Sequence, residues 1–350
     1  MARTRKQSKS VPSKIVSLYV GLDYHESTIR VCVMDDQGDV LVNKNTSNNV
    51  WKVRELIGSC EGMVSEVGIE ACCGAANFAT DLIKATEWTV RMAHPSAVNR
   101  LKDGVDKTDA GDAWHLANLL RVGYLPEVWI ADEVTRQLRR LVRFRQGLAD
   151  QKKDIKLRIG ALLREERIEN TSESNTWTKP WMAWLKTAKL GEHSRWVLDR
   201  EIERLEQVEK EIAAVQQRME LATKDDSVVA KLMEQPGIGI ITAVVMRAVI
   251  GRFDRFHTGK QLACYCGVTP CNASSGKRQA DAGLIESGND ILRPMLIQLA
   301  KRLPRQDARW REFHASMRVR KGANVTSAAI ANRWLRRLYH EMVTAPQTAS

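Results

Sequence analysis

Residues 15–43 read IVSLYVGLDYHESTIRVCVMDDQGDVLVN. Ile15–Asp23 is rich in β-branched and aromatic side chains, which suit a pleated, half-buried surface. Thr28–Asp35 alternates and reads as a second strand. Asp36-Gln37-Gly38 is a turn, and Asp39–Asn43 is a third strand. Connections this short join antiparallel neighbours, so the stretch predicts a three-stranded meander. Downstream, Trp51–Cys60 reads as a helix, Met63–Ile69 as a buried strand and Ala75–Ala85 as a helix. Thr89–Ala93 reads as a short strand, and Pro95–Leu101 as the start of a short helix. Asp109–Val122 has helical periodicity, with Ala113, Leu116, Ala117 and Leu120 on one face.

The order βββαβαβα matches an α/β ribonuclease-H-like fold, in which the first and fourth strands lie side by side. Asp23 ends the first strand in Gly21-Leu22-Asp23, and Glu70 ends the fourth in Gly68-Ile69-Glu70. Their carboxylates are therefore expected close together. Asp109 and Asp112, three apart on a helix, share a face at ~5–6 Å. Singly, each acid is an ordinary turn, cap or first-turn residue. Together they form an oxygen-rich cluster suited to Mg2+ or Mn2+. Two such ions can clamp the attacking and leaving oxygens of a phosphoryl displacement.

The chain has 350 residues, 43% hydrophobic and 27% charged, which excludes a disordered or collagen-like protein and suggests about two domains. Lys and Arg exceed Asp and Glu, 54 to 42, for a net charge of +12. That excess sits in three tracts: +5 over residues 1–14, +7 over 136–168 and +9 over 301–340. The remainder is net −9, the pattern of phosphate-binding surfaces set beside a carboxylate-bearing body. The longest nearly apolar run, Ile238–Gly251, is interrupted by Arg247 and is too short for a membrane span. No cleavable leader pattern is present, so a cytoplasmic protein without a membrane partner is expected. The seven cysteines lack zinc-ribbon spacing and read as buried free thiols.

Leu141, Leu148, Ile155 and Leu162 recur every seven residues, as do Leu198, Leu205, Ile212 and Met219. This predicts an antiparallel coiled-coil hairpin. Its connection, 169–190, is polar and carries Trp177, Trp181 and Trp184 around Pro180, for base stacking, a dimer contact or packing on the hairpin itself. Arg139, Arg140 and Arg143 lie in the basic tract of the first hairpin helix. Further on, Pro236-Gly237-Ile238-Gly239 between two helices resembles a helix-hairpin-helix element, whose glycines let backbone N–H groups approach phosphate. A small-residue loop, Ser274-Ser275-Gly276-Lys277-Arg278, could expose a hydroxyl beside two cations. Gly288-Asn289-Asp290-Ile291-Leu292-Arg293 opens another helix.

Taken in order, Val20-Gly-Leu-Asp23, Gly68-Ile-Glu70-Ala71, Lys107-Thr-Asp109-Ala-Gly-Asp112-Ala113, Pro236-Gly-Ile-Gly239, Gly267-Val-Thr-Pro270, Ser275-Gly276 and Gly288–Arg293 resemble the DEDD insertion-sequence transposases, bridge-RNA-guided DNA recombinases. The resemblance spans roughly residues 15–340. It implies, after the basic tail at 1–14, a RuvC-like catalytic domain at 15–130, a coiled-coil hairpin at 131–225 and an all-α transposase domain at 226–345. It implies that Asp23, Glu70, Asp109 and Asp112 bind the metal. It implies that Ser275, or failing it Ser274, attacks DNA to form a phosphoserine link. It further implies a homo-oligomer whose site combines subunits, a structured guide RNA, and donor and target DNA. Gly237, Gly239, Lys277, Arg278, Arg293, Arg139, Arg140 and Arg143 are the expected nucleic-acid contacts. Two strings depart from the family pattern: Ala71-Cys72-Cys73-Gly74 replaces Ala-Thr-Gly, and Glu286-Ser287-Gly288-Asn289 lacks a lysine. The alternative from the same carboxylates is a Holliday-junction-resolvase-like nuclease with water as nucleophile. An actin-like ATPase is disfavoured because the helical second half supplies no second sheet. An inert RNA-binding scaffold would bind nucleic acid without reaction.

Overall fold

The computed structural model describes residues 16–102, 108–272, 281–286 and 288–344. It divides into two units, Met1–Ala131 and Asp132–Ser350.

In the first unit the meander forms as β1 (Ser17–Tyr24), β2 (Thr28–Met34) and β3 (Val40–Ser47). Helix α1 (Val50–Gly58) leads to β4 (Met63–Glu70), α2 (Ala75–Thr86) leads to β5 (Val90–Ala93), and α3 (Pro95–Asn99) precedes α4 (Asp109–Arg121). A two-residue strand β6 (Glu127–Val128), unanticipated from sequence, closes the edge against β5. The sheet order is β3-β2-β1-β4-β5-β6. β1 and β2 are antiparallel, as are β2 and β3, whereas β1, β4 and β5 run parallel. This mixed sheet is compatible with a ribonuclease-H-like fold.

Strand parity sorts β1 into two faces. Leu18, Val20 and Leu22 are buried in a core with Val53, Ile57, Phe78 and Leu82 of α1 and α2. Gly21 points the other way, at α4. A Cβ added there would lie 1.9 Å from the Ala113 carbonyl oxygen and 2.7 Å from the Ala117 nitrogen. Backbone therefore meets backbone, and only glycine fits. Gly68, the register partner of Gly21 on β4, faces the same helix at Leu120. Cys32 and Met34 of β2 complete this seam with Ala113 and Ala117.

The second unit is built on two long helices, α5 (Glu133–Glu165) and α7 (Glu192–Ala222). Arg158 meets Glu201 and Lys152 meets Glu209, so one chain number falls as the other rises and the helices are antiparallel. Leu138, Leu148, Ile155 and Ile159 pack with Leu198, Ile202, Leu205 and Met219 in one core. Leu141, Leu162 and Ile212 of the expected columns are only partly buried. A strict seven-residue column drifts by ~20° per heptad around a straight helix, which moves such positions off the seam. The connection, expected to be a polar loop, contains α6 (Lys179–Thr187), with Pro180 in its first turn and Trp181 and Leu185 buried. Proline is favoured at that position because the missing N–H has no helical partner there.

Helices α8 (Ser227–Met233), α9 (Ile240–Ile250), α10 (Gly259–Tyr265), α11 (Leu292–Gln306) and α12 (Ala308–Thr344, bent at Gly322) follow. The expectation of an all-α C-terminal part is corrected here. Strands β7 (Pro270–Asn272) and β8 (Asp281–Leu284) pair antiparallel. Pro270 and Gly283, the latter at φ 79°, are poor helix formers, and an extended pair satisfies the backbone instead. The cysteine expectation also needs correcting: Cys32 and Cys266 are buried, whereas Cys72, Cys73 and Cys264 are exposed. Among the described residues, no helix is long and apolar enough to cross a membrane.

Candidate active site

Asp23 follows Gly21 by two residues, and Glu70 follows Gly68 by two. Side chains two apart on a strand share a face. Because Gly21 pairs with Gly68 and Leu22 with Ile69, Asp23 and Glu70 emerge side by side at the C-terminal ends of β1 and β4, on the α4 side. The two glycines that seat α4 thus also bring its first turn to these acids.

That turn carries Asp109 and Asp112. Thr108 caps it, its hydroxyl accepting from the Gly111 N–H at 3.2 Å. Carboxylates at a helix N-terminus are stabilised by the helix dipole. A second brace comes from the sheet. Arg30, opposite Asp23 on β2, donates Nε to Asn43 Oδ1 at 2.6 Å, and the Asn43 amide donates to the Ala110 carbonyl at 3.1 Å.

Asp23, His25 and Asp109 each offer a ligand atom, and these atoms lie within 4.8 Å of one another. His25 Nε2 donates to Asp23 Oδ2 at 3.0 Å and stands 3.7 Å from Asp109 Oδ2. Asp112 is largely shielded and is held by Lys102, Nζ to Oδ1 at 2.6 Å. Burial pushes the Asp23 carboxyl above its ordinary value. His25 opposes that rise, and the negative charges of Asp112 and Asp109 add to it. Burial likewise raises the Cys72 thiol, with Glu70 and Asp23 adding to the push. Asp112 and Asp109 thus act on Asp23, and Glu70 and Asp23 both act on the Cys72 thiol. Asp23 and Asp109, whose hard oxygen donors lie within 4.8 Å of one another, fit a divalent cation such as Mg2+ or Mn2+, while Asp112 is engaged by Lys102. His25 and Lys102 were not anticipated. Asp23 and His25 are two apart, the strand spacing that could have flagged the histidine. Lys102 and Asp112 are ten apart across a non-periodic connection, which carries no signal.

The remaining expected contacts divide. Ser274, Ser275, Lys277 and Arg278 lie outside the described residues, between β7 and β8. Arg140 and Arg143 are exposed on α5. Arg139 instead donates to the Ala248 and Val249 carbonyls at 2.8 and 3.3 Å, where the last turn of α9 has no helical donor. Arg293 donates to the Ile285 and Glu286 carbonyls at 2.8 and 3.2 Å, and its guanidinium fills the slot between Gly267 and Gly288. Both arginines therefore bind the protein's own backbone in this structure. Gly237 has φ 80° and packs against Leu299 and Gln306 of α11, whereas Gly239 is exposed at the start of α9.

Two family models match in chain order. A transposase model for DEDD enzymes of the IS110 type covers residues 20–167, and a model of the IS116/IS110/IS902 transposase family covers residues 229–315. The chain belongs to the IS110 family of DEDD transposases. Relatives agree along its length. A Pseudomonas aeruginosa protein named as a probable family 20 transposase is 28% identical over 91% of this chain and 95% of its own. The Yersinia enterocolitica transposase for insertion sequence element IS1328 is 23% identical over 91% of this chain and 94% of its own. A Sinorhizobium fredii relative, y4qE, named as a transposase, is 30% identical over 63% of this chain but only 54% of its own length. The IS110-family chain is thus a DNA-cleaving and recombining enzyme, and DNA is its substrate.

Proposed function

We propose that this transposase cleaves and rejoins DNA strands through a covalent phosphoserine intermediate, and that a structured RNA of the mobile element selects the DNA sites. The observation that carries the catalytic part is the convergence of Asp23 and Glu70 on the first turn of α4, beneath which Gly21 allows no side chain. Asp23, Glu70, Asp109 and Asp112 would hold the cation, whose chemistry when bound is to polarise a phosphate and offset charge developing on its oxygens. His25 orients the Asp23 carboxylate through its Nε2–H, and Lys102 fixes Asp112.

Ser275 is the nucleophile of this reading. Its Oγ forms a bond to the scissile phosphorus, the bond to the 3′ oxygen breaks, and the 3′-hydroxyl leaves with the proton. After strands exchange, a new 3′-hydroxyl attacks the phosphoserine and releases the serine hydroxyl. Each step breaks one P–O ester bond and forms another, phosphodiester for phosphodiester, so no nucleotide hydrolysis is required. Lys277 and Arg278 supply positive charge next to that serine, Arg140 and Arg143 present cations on α5, and Gly237 and Gly239 open the backbone before α9. Arg293 has a positioning role, since it clasps the carbonyls after β8 at the base of the serine segment. The enzyme works as a homo-oligomer, in which a second copy contributes to each catalytic centre.

The test is a denaturing gel of the protein incubated with DNA bearing the element's ends, its RNA and Mg2+. A protein–DNA adduct is expected with the wild type and is lost in Ser275→Ala. An adduct that persists in Ser275→Ala removes that serine from the role. Cleavage without any adduct selects water as the nucleophile and the resolvase-like reaction.

A further inference from the structure

The hairpin of the second unit carries a pocket of about 640 Å3 between α5 and the segment leading into α6. That lies within the ~300–1,000 Å3 range of small-ligand sites. One side is aromatic. Trp177, Trp181 and Trp184 form a chain with ring centroids 4.5 and 5.8 Å apart. The other side is cationic, made by Lys152, Lys153, Lys156 and Arg164 of α5. Among the described residues, no carboxylate lines it. Of the four cations, Lys152 is tied to Glu209 of α7 at 2.7 Å. Lys156 Nζ lies 4.6 Å from the centre of the Trp177 ring. Burial and the neighbouring Lys152 charge both lower the Lys156 ammonium, while Glu209 opposes them.

Three features argue for a binding site rather than incidental packing. Trp177 has φ 69°, a conformation that non-glycine residues adopt only when their surroundings hold them there. Trp181 is buried and anchors the aromatic row, and Trp177 and Trp184 are partly buried against the same core, so the row is a rigid base. Gly160 leaves the α5 wall open where a side chain would enter: an added Cβ meets only the flexible end of Arg164, at 3.4 Å. Helix-interior glycine costs about 1 kcal/mol relative to alanine, and here it keeps the pocket clear.

Aromatic faces flanked by lysine and arginine suit an unpaired polynucleotide strand. Bases stack on the rings whatever their identity, and phosphates meet the cations. Duplex DNA hides its base faces, but an enzyme that cuts and rejoins strands creates ends that are unpaired while they change partners. We propose that the Trp177–Lys156 pocket holds unpaired nucleotides of the DNA substrate, with a base taking the place of Lys156 Nζ on the Trp177 face, Lys156 turning to the adjoining phosphate, and the flanking phosphates on Lys153 and Arg164. This rests on the family's DNA recombination, and on neither the serine nor the guide RNA.

The experiment uses the full-length protein in chelator, so that cleavage plays no part. A short single-stranded DNA carrying 5-iododeoxyuridine is photo-crosslinked to it, and the attachment site is mapped by mass spectrometry. Attachment to Trp177 or Trp184 is expected. Gly160→Leu, which fills the pocket and favours the helix, should lower that yield at least about fivefold. Lys153→Glu with Arg164→Glu should do the same, with thermal stability unchanged. Crosslinks confined to other sites, or a yield insensitive to Gly160→Leu in a folded protein, overturn the proposal. A stronger crosslink from the matching RNA than from DNA also overturns it, by assigning the pocket to RNA.

Discussion

Gly21→Ala adds one methyl group where β1 crosses α4, and its consequence can be worked from the geometry. The new Cβ would lie 1.9 Å from the Ala113 carbonyl oxygen and 2.7 Å from the Ala117 nitrogen. Carbon contacts are comfortable at about 3.5 Å, so the helix must withdraw by about 1.5 Å. Both opposing atoms are backbone, so no rotamer change relieves the overlap. Overpacking of this type costs roughly 1–3 kcal/mol, a loss of ~3–10 °C in Tm for a unit of this size. The larger effect is on catalysis, because the first turn of α4 carries Asp109 and Asp112 while Asp23 stays on β1. A misplacement near 1 Å is worth about 100-fold in rate. Cleavage of DNA carrying the element's ends should therefore fall about 100-fold or more, even where circular dichroism shows a folded protein. Gly68→Ala is the internal comparison, since its Cβ meets the Leu120 side chain at 3.0 Å rather than backbone. It should cost about 1 kcal/mol, the low end of overpacking, and leave cleavage within a few-fold. Wild-type cleavage in Gly21→Ala, or equal damage from Gly68→Ala, would show that the β1–α4 contact does not place the acids.

Two further outcomes follow from charge. Lys102→Gln removes a cation 2.6 Å from Asp112 and should tighten Mn2+ binding several-fold in a calorimetric titration; unchanged or weaker binding contradicts the competition between ammonium and metal. Glu201 hydrogen-bonds Arg158 and lies beside Arg204, which together hold its carboxyl below the ordinary value. Its stabilisation is therefore complete above the unfolded-state pKa of about 4.3 and is lost progressively as the pH falls below that and through the lower folded-state value. Glu201→Gln should cost about 1–2 kcal/mol at pH 7, less than a wholly buried pair because both arginines are half in water, and the gap to wild type should shrink below about pH 4 in urea melts.

The first unit was legible because its signals are local and periodic. The meander, the β4 strand and the α4 face follow from side-chain alternation at two and at three to four residues. The meeting of Asp23 and Glu70 needed only the parallel pairing of β1 with β4. Signals failed where contact pairs are distant or the segments short. β6 has two residues, and Lys102 reaches Asp112 across a connection without repeat. Arg139 and Arg293, expected as nucleic-acid contacts, meet carbonyls that only the folded chain brings within reach: those ending α9 and those following β8. The β7–β8 pair escaped notice because its strands are short and lie on either side of a small-residue loop. A sequence reading weighs arginine by its charge, and the fold uses its donors.

The carboxylates at the ends of β1 and β4 and the start of α4 are proposed as the metal centre of the reaction. The most direct test is anomalous diffraction at the manganese edge from crystals grown with Mn2+, paired with cleavage assays in the same ion. The expected result is a peak within coordination distance of the Asp23 and Asp109 carboxylates, which disappears together with cleavage in Asp23→Asn. A manganese-dependent cleavage with no peak at these residues, or one that survives Asp23→Asn undiminished, would place the metal centre elsewhere.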